Sequence, residues 1–385
     1  MSVRRNFGVV AVVVGVLVAA LPVSAAAASV STVSVQATGG RDLGTLGGHY
    51  GDGQDINNRG QVTGFAQTAD GRYHAFRWTA SGGMQDLGTF GGASSWGVDI
   101  DELGRVTGWA LTSDGARHAF RWTPSSGMQD LGTLGGDWSS AVAINNRGHV
   151  VGSATLTSGD QHAFVWTASG GIRDLGTLGG PTSTATGIND LGQVTGNADR
   201  ADGTSGAFRW TASGGMQDLG TLGGPSSSAV ATNLLGQVVG TADTADGSLH
   251  GFLWAPSAGM RDLGDFQPTV LNARAQIGGL VPRWDEKSAE RAARWTASGG
   301  IQDLGAQRGD GSLDSAATAI NELGEIVGYD GFRAFRWTSS TGMRYLPGDS
   351  PGGYGSAQAI NLRGQIVGSW GDETEENRHV FLWSP

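Results

Sequence analysis

The chain contains no cysteine and a single lysine, Lys287, in 385 residues. Without a thiol there is no disulfide framework, thiol redox site or Cys-ligated zinc. A lone lysine that closes no glycine-rich run excludes a P-loop. Charged residues make up only 16% and are biased to one sign, giving a net charge of −10. Setting aside Arg4 and Arg5 of the leader makes it −12, with 23 basic against 35 acidic residues. Such a chain does not track a phosphate backbone, and no nucleic-acid partner is expected. What is plentiful is glycine, 67 residues, and tryptophan, 13, within a composition 38% apolar. That is enough to bury a large core, with turns at close intervals.

Residues 1–28 read as a secretory signal peptide: a basic head at Arg4 and Arg5, an apolar stretch from Val9 to Leu21, and small-residue cleavage sites from Val23 to Ala28. The stretch is short for a membrane span, and no later segment reaches the length needed, so no span is expected in the mature chain. Val3 stands where a twin-arginine leader prefers Ser or Thr, which favours general secretion. Residues 29–40 read as a short linker, and the localisation expected is secreted and extracellular.

Repeats occupy residues 41–385. Asp-Leu-Gly begins at Asp42, Asp86, Asp130, Asp174, Asp218, Asp262 and Asp303, mostly 44 residues apart. Trp78, Trp122, Trp166, Trp210, Trp254, Trp295, Trp337 and Trp383 recur in step, giving eight units. An Asn, once Asp101, marks the middle of each unit and is followed three residues later by Gly, or once by Ala275. A period of 40 to 45 without a helical pattern points to propeller blades. Each unit resolves into four strands: a small-residue strand such as Ser139 to Ile144, an Asn-x-x-Gly turn, a Gln-Val-Val-Gly strand, a His-Ala-Phe-x-Trp strand, and a short Met-Gln-Asp-Leu strand. The fold class expected is all-β, an eight-bladed β-propeller of four-stranded antiparallel blades, with a seven-bladed or irregular propeller as the alternative.

The chain begins with an orphan fourth strand, Arg41 to Leu43, and stops after a third strand, His379 to Trp383. The N-terminal strand should therefore complete the last blade and remove two free edges. Arginine placement agrees. Where Arg precedes Trp (Arg77, Arg121, Arg209, Arg294), Gln precedes the next Asp; where an apolar residue does (Val165, Leu253), Arg173 or Arg261 precedes the Asp. Leu382 and Arg41 fit the second pattern. The expected meaning is a cross-strand Arg–Asp pair in each hairpin, worth a few tenths to about 1 kcal/mol, except in the seventh unit, where Arg336 and Arg344 meet no Asp.

Asp-Leu-Gly-Thr-Leu-Gly-Gly (Asp42 to Gly48, Asp130 to Gly136, Asp174 to Gly180, Asp218 to Gly224) and His-Ala-Phe-x-Trp (His74 to Trp78, His118 to Trp122, His162 to Trp166) resemble the HAF-repeat family of extracellular repeat proteins. The resemblance spans 41–385 and implies an exported bacterial protein without an assigned activity. Gly206, Arg291 and Arg333 depart from the motif's His.

The repeated His and Asp suggest structure before chemistry. Equivalent residues of a ring lie too far apart for roughly 2 Å metal bonds, and Asp-Gly pairs such as Asp70-Gly71 and Asp114-Gly115 read as hairpin turns rather than calcium loops. No metal or cofactor is expected, and no catalytic residue is assigned. Function is sought where the repeat is broken. The fourth-to-first-strand connections carry Tyr354, then His49 and Tyr50, then Trp96, then Asp137 and Trp138, whereas the next two are plain. On a closed ring these connections are neighbours and form an aromatic sector suited to stacking on sugar rings or a partner protein. The expected function is a secreted, monomeric, non-catalytic binding or scaffold protein for extracellular polysaccharide or protein. The alternative is a carbohydrate-active hydrolase or lyase near the axis, for which His49 with Asp52 or Asp55 offers the acid and base. The charged insertion Trp284 to Arg291 reads as a solvated loop.

Overall fold

A computed structural model describes residues 39–282, 290–305, 314–348, 353–372 and 377–385. The leader, nearly all of the linker and most of the charged insertion lie outside the described residues.

Glycine-dependent turns punctuate the units, and two of them set the wiring of the array. In the Asp-Leu-Gly turn, the carboxylate accepts the N–H of the Gly two residues on, as Asp130 Oδ1 does from Gly132 at 2.8 Å. Gly132 has φ 77°, and the intervening Leu131 is buried. In the Asn-x-x-Gly turn, Gly60 N–H donates to Asn57 O (3.0 Å), while Asn57 Oδ1 accepts N–H from Arg59 and Gln61, both at 3.0 Å. The side-chain amide then reaches outward. Asn57 Nδ2 donates to Asp101 O in the next unit, and the pattern recurs from Asn145 to Asn189, Asn189 to Asn233, Asn233 to Asn272, Asn272 to Asn321, Asn321 to Asn361, and Asn361 back to Asn57 O, at 2.8–3.2 Å. Asp101 cannot donate, and the Arg105 guanidinium, paired to Asp101, takes over by donating to Asn146 O at 2.8 Å. The repeated Asn is thus both a turn former and a link between units.

Ala275 is the one non-glycine residue with positive φ (55°) among the described residues. Its Cβ costs roughly 1–2 kcal/mol there, less what glycine's extra chain entropy takes back. Ala275→Gly should therefore raise stability by about 0.5–1 kcal/mol, read as a higher urea midpoint at unchanged slope; a lower midpoint would contradict the strain.

All described regular structure is β, and no helix long and apolar enough to cross a membrane is present among these residues. The strands pair antiparallel in groups of four, such as Gly135–Ile144, Val150–Leu156, Gln161–Thr167 and Gly171–Asp174. Single parallel bridges at Tyr50↔Arg378 and Trp138↔Arg117 join neighbouring groups, so the pairing forms six sheets, two of eight strands and four of four. The first strand is longer than its small-residue run suggests. In the first five units it starts at the first glycine of the Gly-Gly pair, as in Gly47–Ile56 and Gly91–Ile100, because that glycine (φ 106° at Gly47) turns the chain directly into the sheet. Its neighbour, the second strand, needs glycine for another reason: a β-carbon on Gly152 would overlap the carbonyl oxygen of Ser140.

Arg41–Gly44 pairs with Arg378–Trp383, with Arg41 opposite Leu382. His379 Nδ1 lies 2.8 Å from Asp42 Oδ2, the contact that His118 makes with Asp130 inside the array. Each apolar cluster joins two consecutive units around a third-strand Phe or its counterpart. Phe164 and Trp166 pack with Ala119 and Leu131, and Phe76 and Trp78 pack with Val367, Val380 and Leu382. The repeated Phe, at most 1% exposed, hold the centres of these clusters.

The alternating arginines have a different partner from the one expected. Arg77 is directly opposite Gln85 and Arg173 opposite Val165, so either strand delivers a guanidinium to the same surface. There it covers the tryptophan of the following unit: Arg77 on Trp122, Arg121 on Trp166, Arg173 on Trp210, Arg209 on Trp254, Arg261 on Trp295, Arg294 on Trp337 and Arg41 on Trp78, at 5.0–5.9 Å. The aspartates instead meet the motif histidines (His74–Asp86, His118–Asp130, His162–Asp174, His250–Asp262), Nδ1 to carboxylate at 2.7–3.0 Å. The hydrogen bond that His250 makes to the Asp262 carboxylate raises the pKa of the imidazole. Where the His is missing, an arginine replaces it: Arg200 pairs with Asp218 beside Gly206, and Arg291 with Asp303. A Cβ at Gly206 would press on the Arg200 guanidinium, so these two substitutions go together.

Candidate functional site

The departures from the repeat concentrate in the first three units, on strands rather than in the connections to which the sequence reading assigned them. Tyr50 and Trp96 stand on the first strands Gly47–Ile56 and Gly91–Ile100. Tyr50 stacks on Phe65 (ring centroids 6.0 Å apart), Phe65 on Trp96 (3.4 Å), and Trp96 on Trp109 (5.6 Å, planes within 15°). Tyr73 packs along the row against Tyr50, Phe65 and Trp96 at 5.9–6.2 Å. Register explains the continuity: Trp96 is directly opposite Trp109, whereas Phe65 is opposite Asp52 and turns its ring to the next unit's Trp96. The matching pairs elsewhere are Ser140–Ser153, Thr184–Asn197 and Ser228–Thr241, which build no such row.

A guanidinium stands at each end. Arg378 lies over Tyr50 at 5.9 Å and is fixed by Ser369 Oγ (2.6 Å) and Ser356 Oγ (2.8 Å). Arg117 lies over Trp109 at 4.1 Å and makes no side-chain hydrogen bond or ion pair among the described residues. Arg117 also borders an open cleft of about 430 Å³ with Leu111, Gly115, Ala116, Asp137 and Trp138. Asp137 is exposed and Trp138 half-buried, its backbone N–H held by Thr155 Oγ1 at 3.0 Å.

The six residues singled out in the sequence therefore separate. Tyr50 and Trp96 share the row; Asp137 and Trp138 share the cleft beyond its Arg117 end. Tyr354 packs edge-on against Phe332 (4.5 Å), and His49 is exposed with its N–H donated to Gln67 Oε1 (3.0 Å). Phe65, Tyr73, Trp109 and Arg117 were missed. Lining up the second strands sets Phe65 and Trp109 apart from Ser153, Asn197, Thr241 and Ser369, while Leu280 and Tyr329 hold the same place in two other units.

The carboxyls offered for acid–base chemistry, Asp52 and Asp55, are enclosed at 8% and 1% exposed, and so is the neighbouring Asp99 at 5%. Burial pushes Asp52 up, opposed by Arg378 at 3.8 Å and by Ser369. Asp55 Oδ2 accepts Ile100 N–H (3.0 Å) and Asp99 Oδ2 accepts Ile144 N–H (2.7 Å), so each carboxyl ties its strand to the next unit. Burial raises both, Asp99 well above its ordinary value because the Asp55 charge adds to it. Asp55 thus partners Asp99, not His49.

No family model matches the chain, and no curated protein matches it by sequence. Among solved structures, it is similar to the β-propeller domain of the Trilobed protease from Pyrococcus furiosus, with TM-score 0.52 and 10% identity over 78% of this chain and 100% of that one. The chain folds as a β-propeller. Weaker likenesses are to virginiamycin B lyase from Staphylococcus aureus (TM-score 0.44, 15% identity, 90% and 99% covered) and to the BP39L lectin from Burkholderia pseudomallei (TM-score 0.45, 11% identity, 88% and 98% covered). At these identities the propeller likeness concerns fold alone.

Proposed function

We propose that this propeller is a closed ring of eight blades, a secreted HAF-repeat protein that binds extracellular glycan non-catalytically through the aromatic row of its first two blades. Closure is supported by the pairing of Arg41–Gly44 with Arg378–Trp383, by the Asn361–Asn57 link, and by Arg41 lying over Trp78. The Asn link and the Arg–Trp contact repeat, between the two ends of the array, contacts found between most interior neighbours, and the strand pairing repeats the one inside each interior unit. Export rests on the leader, and no feature calls for more than a monomer.

The observation that carries the binding reading is the unbroken stack Tyr50–Phe65–Trp96–Trp109 capped by Arg378 and Arg117. Half-buried Trp96 and Trp109, at places that hold Ser140, Thr184 and Ser228, or Ser153, Asn197 and Thr241, in the next three blades, are not demanded by the scaffold, and flat rings beside hydrogen-bonding groups suit the apolar faces of sugars. Enclosure of Asp52 and Asp55 removes the acids that the sequence offered to the hydrolase or lyase reading.

The test is a glycan array probed with the mature chain and with a variant carrying Trp96→Ala and Trp138→Ala. The parent should bind at least one glycan and the variant at least tenfold more weakly, with its far-UV circular dichroism unchanged. No glycan bound by the parent, or equal binding by the two, would reject this reading in favour of a protein partner.

A further inference from the structure

We infer that the cleft between Arg117 and Trp138 is the polar anchor of this face and takes a neutral pyranose unit of a polysaccharide lying along the row; this rests on the glycan reading above. Three groups with complementary chemistry meet there. Trp138 supplies a ring for the C–H face of a sugar. Asp137, exposed and without a side-chain partner among the described residues, can accept from two adjacent hydroxyls, as a carboxylate holding two acceptor oxygens does. Arg117 is the donor. Stacking on Trp109 at 4.1 Å holds its planar fork, and none of its N–H groups is spent on another described side chain or carbonyl. A preorganised donor loses little entropy on binding.

The position of the cleft also matters. Arg117 touches the row through Trp109 and pairs in register with Trp138, so one guanidinium joins the stacking surface to the pocket. At about 430 Å³ the cleft falls within the roughly 300–1,000 Å³ of small-ligand sites. The class of sugar follows from charge. A carboxylate at the mouth and a chain of net charge −10 repel a polyanion, whereas hydroxyls satisfy both Asp137 and Arg117. The same place in the next blades lacks this set, with Thr182 and Ser226 where Trp138 stands.

Affinity electrophoresis tests the inference, using gels containing mixed-linkage β-glucan, xylan, galactomannan or, as the anionic arm, polygalacturonate. The parent should be retarded by at least one neutral polymer. Asp137→Ala, an exposed change that should leave the fold intact, and Arg117→Leu should each weaken that retardation at least tenfold, and Asp137→Asn less than Asp137→Ala. Retardation lost in Trp96→Ala but kept in Asp137→Ala and Arg117→Leu would overturn the cleft while leaving the aromatic face standing. Retardation by polygalacturonate alone would overturn the neutral class. No retardation by any polymer that a glycan array had shown to be bound would overturn the anchor.

Discussion

Trp166→Ala is expected to destabilise the protein by about 3–5 kcal/mol, the scale of emptying a large aromatic from a packed core. Trp166 is 4% exposed and shares its cluster with Phe164, Ile144 and Val150 of its own blade and with Ala119 and Leu131 of the preceding one. Both faces of the cavity would be lined by strands already paired, which leaves the site little freedom to collapse. Arg121 covers the indole from the preceding blade at 5.4 Å. The loss should therefore not be additive with removal of the guanidinium. A cycle of Trp166→Ala, Arg121→Gln and the double variant should return a coupling of about 0.5–2 kcal/mol, as for a cation held over a desolvated ring. Equilibrium unfolding in urea gives all four values. A zero coupling would return Arg121 to the cross-strand role that its alternation with Arg173 first suggested, and a barely shifted midpoint for Trp166→Ala would deny the tryptophans their part between blades. Trp383 offers an internal comparison: among the described residues no arginine covers it, and its indole N–H donates to Pro347 O at 2.6 Å instead.

The parts of the molecule that read easily from sequence are those whose cause is local. Asp130-Leu131-Gly132 and Asn57-Asn58-Arg59-Gly60 state their turns within four residues, because a side-chain acceptor and a positive-φ glycine suffice. The partners across blades were harder. Arg77 and Trp122 lie 45 residues apart, and nothing in the hairpin containing Arg77 says that its guanidinium leaves for the next blade. The expected Arg–Asp pair was chemically sound, but the aspartates were already engaged by His118, His162 and their equivalents. The aromatic row was half legible. Tyr50 and Trp96 broke an obvious pattern, whereas Phe65 and Trp109 sit in second strands where an aromatic looks like ordinary core until its stacking partners across the strands are known. Asp55 and Asp99 were visible as acids, but not as neighbours.

Asp99→Asn should stabilise the protein at neutral and alkaline pH, an uncommon outcome for a change at a buried polar residue. Asp55 and Asp99 occupy a first-strand place held by Ala143, Gly187, Ala231, Val270, Ala319 and Ala359 in the other blades, so the scaffold does not need a carboxyl there. Burial disfavours the charged form of each, and the nearby charges of Asp101 on Asp99 and of Glu102 on Asp55 press the same way. Both carboxyls therefore keep protons above the ordinary value of 3.8. A raised folded-state pKa contributes stability that is fully present below about pH 4 and lost as the pH climbs through the raised value, since the unfolded chain releases its protons first. An asparagine at position 99 ends that loss without breaking the local bonds. Its Oδ1 can accept Ile144 N–H as the Asp99 carboxylate does at 2.7 Å, and its amide can donate to Asp55. The gain at pH 8 should be on the order of 1–3 kcal/mol, the range seen when a costly buried charge is relieved. Near pH 4 the two proteins should differ by much less. Urea midpoints at the two pH values decide the matter: an equal gain at both would mean that packing rather than ionisation is responsible, and a loss at pH 8 would show that the charged pair itself holds the first three blades together.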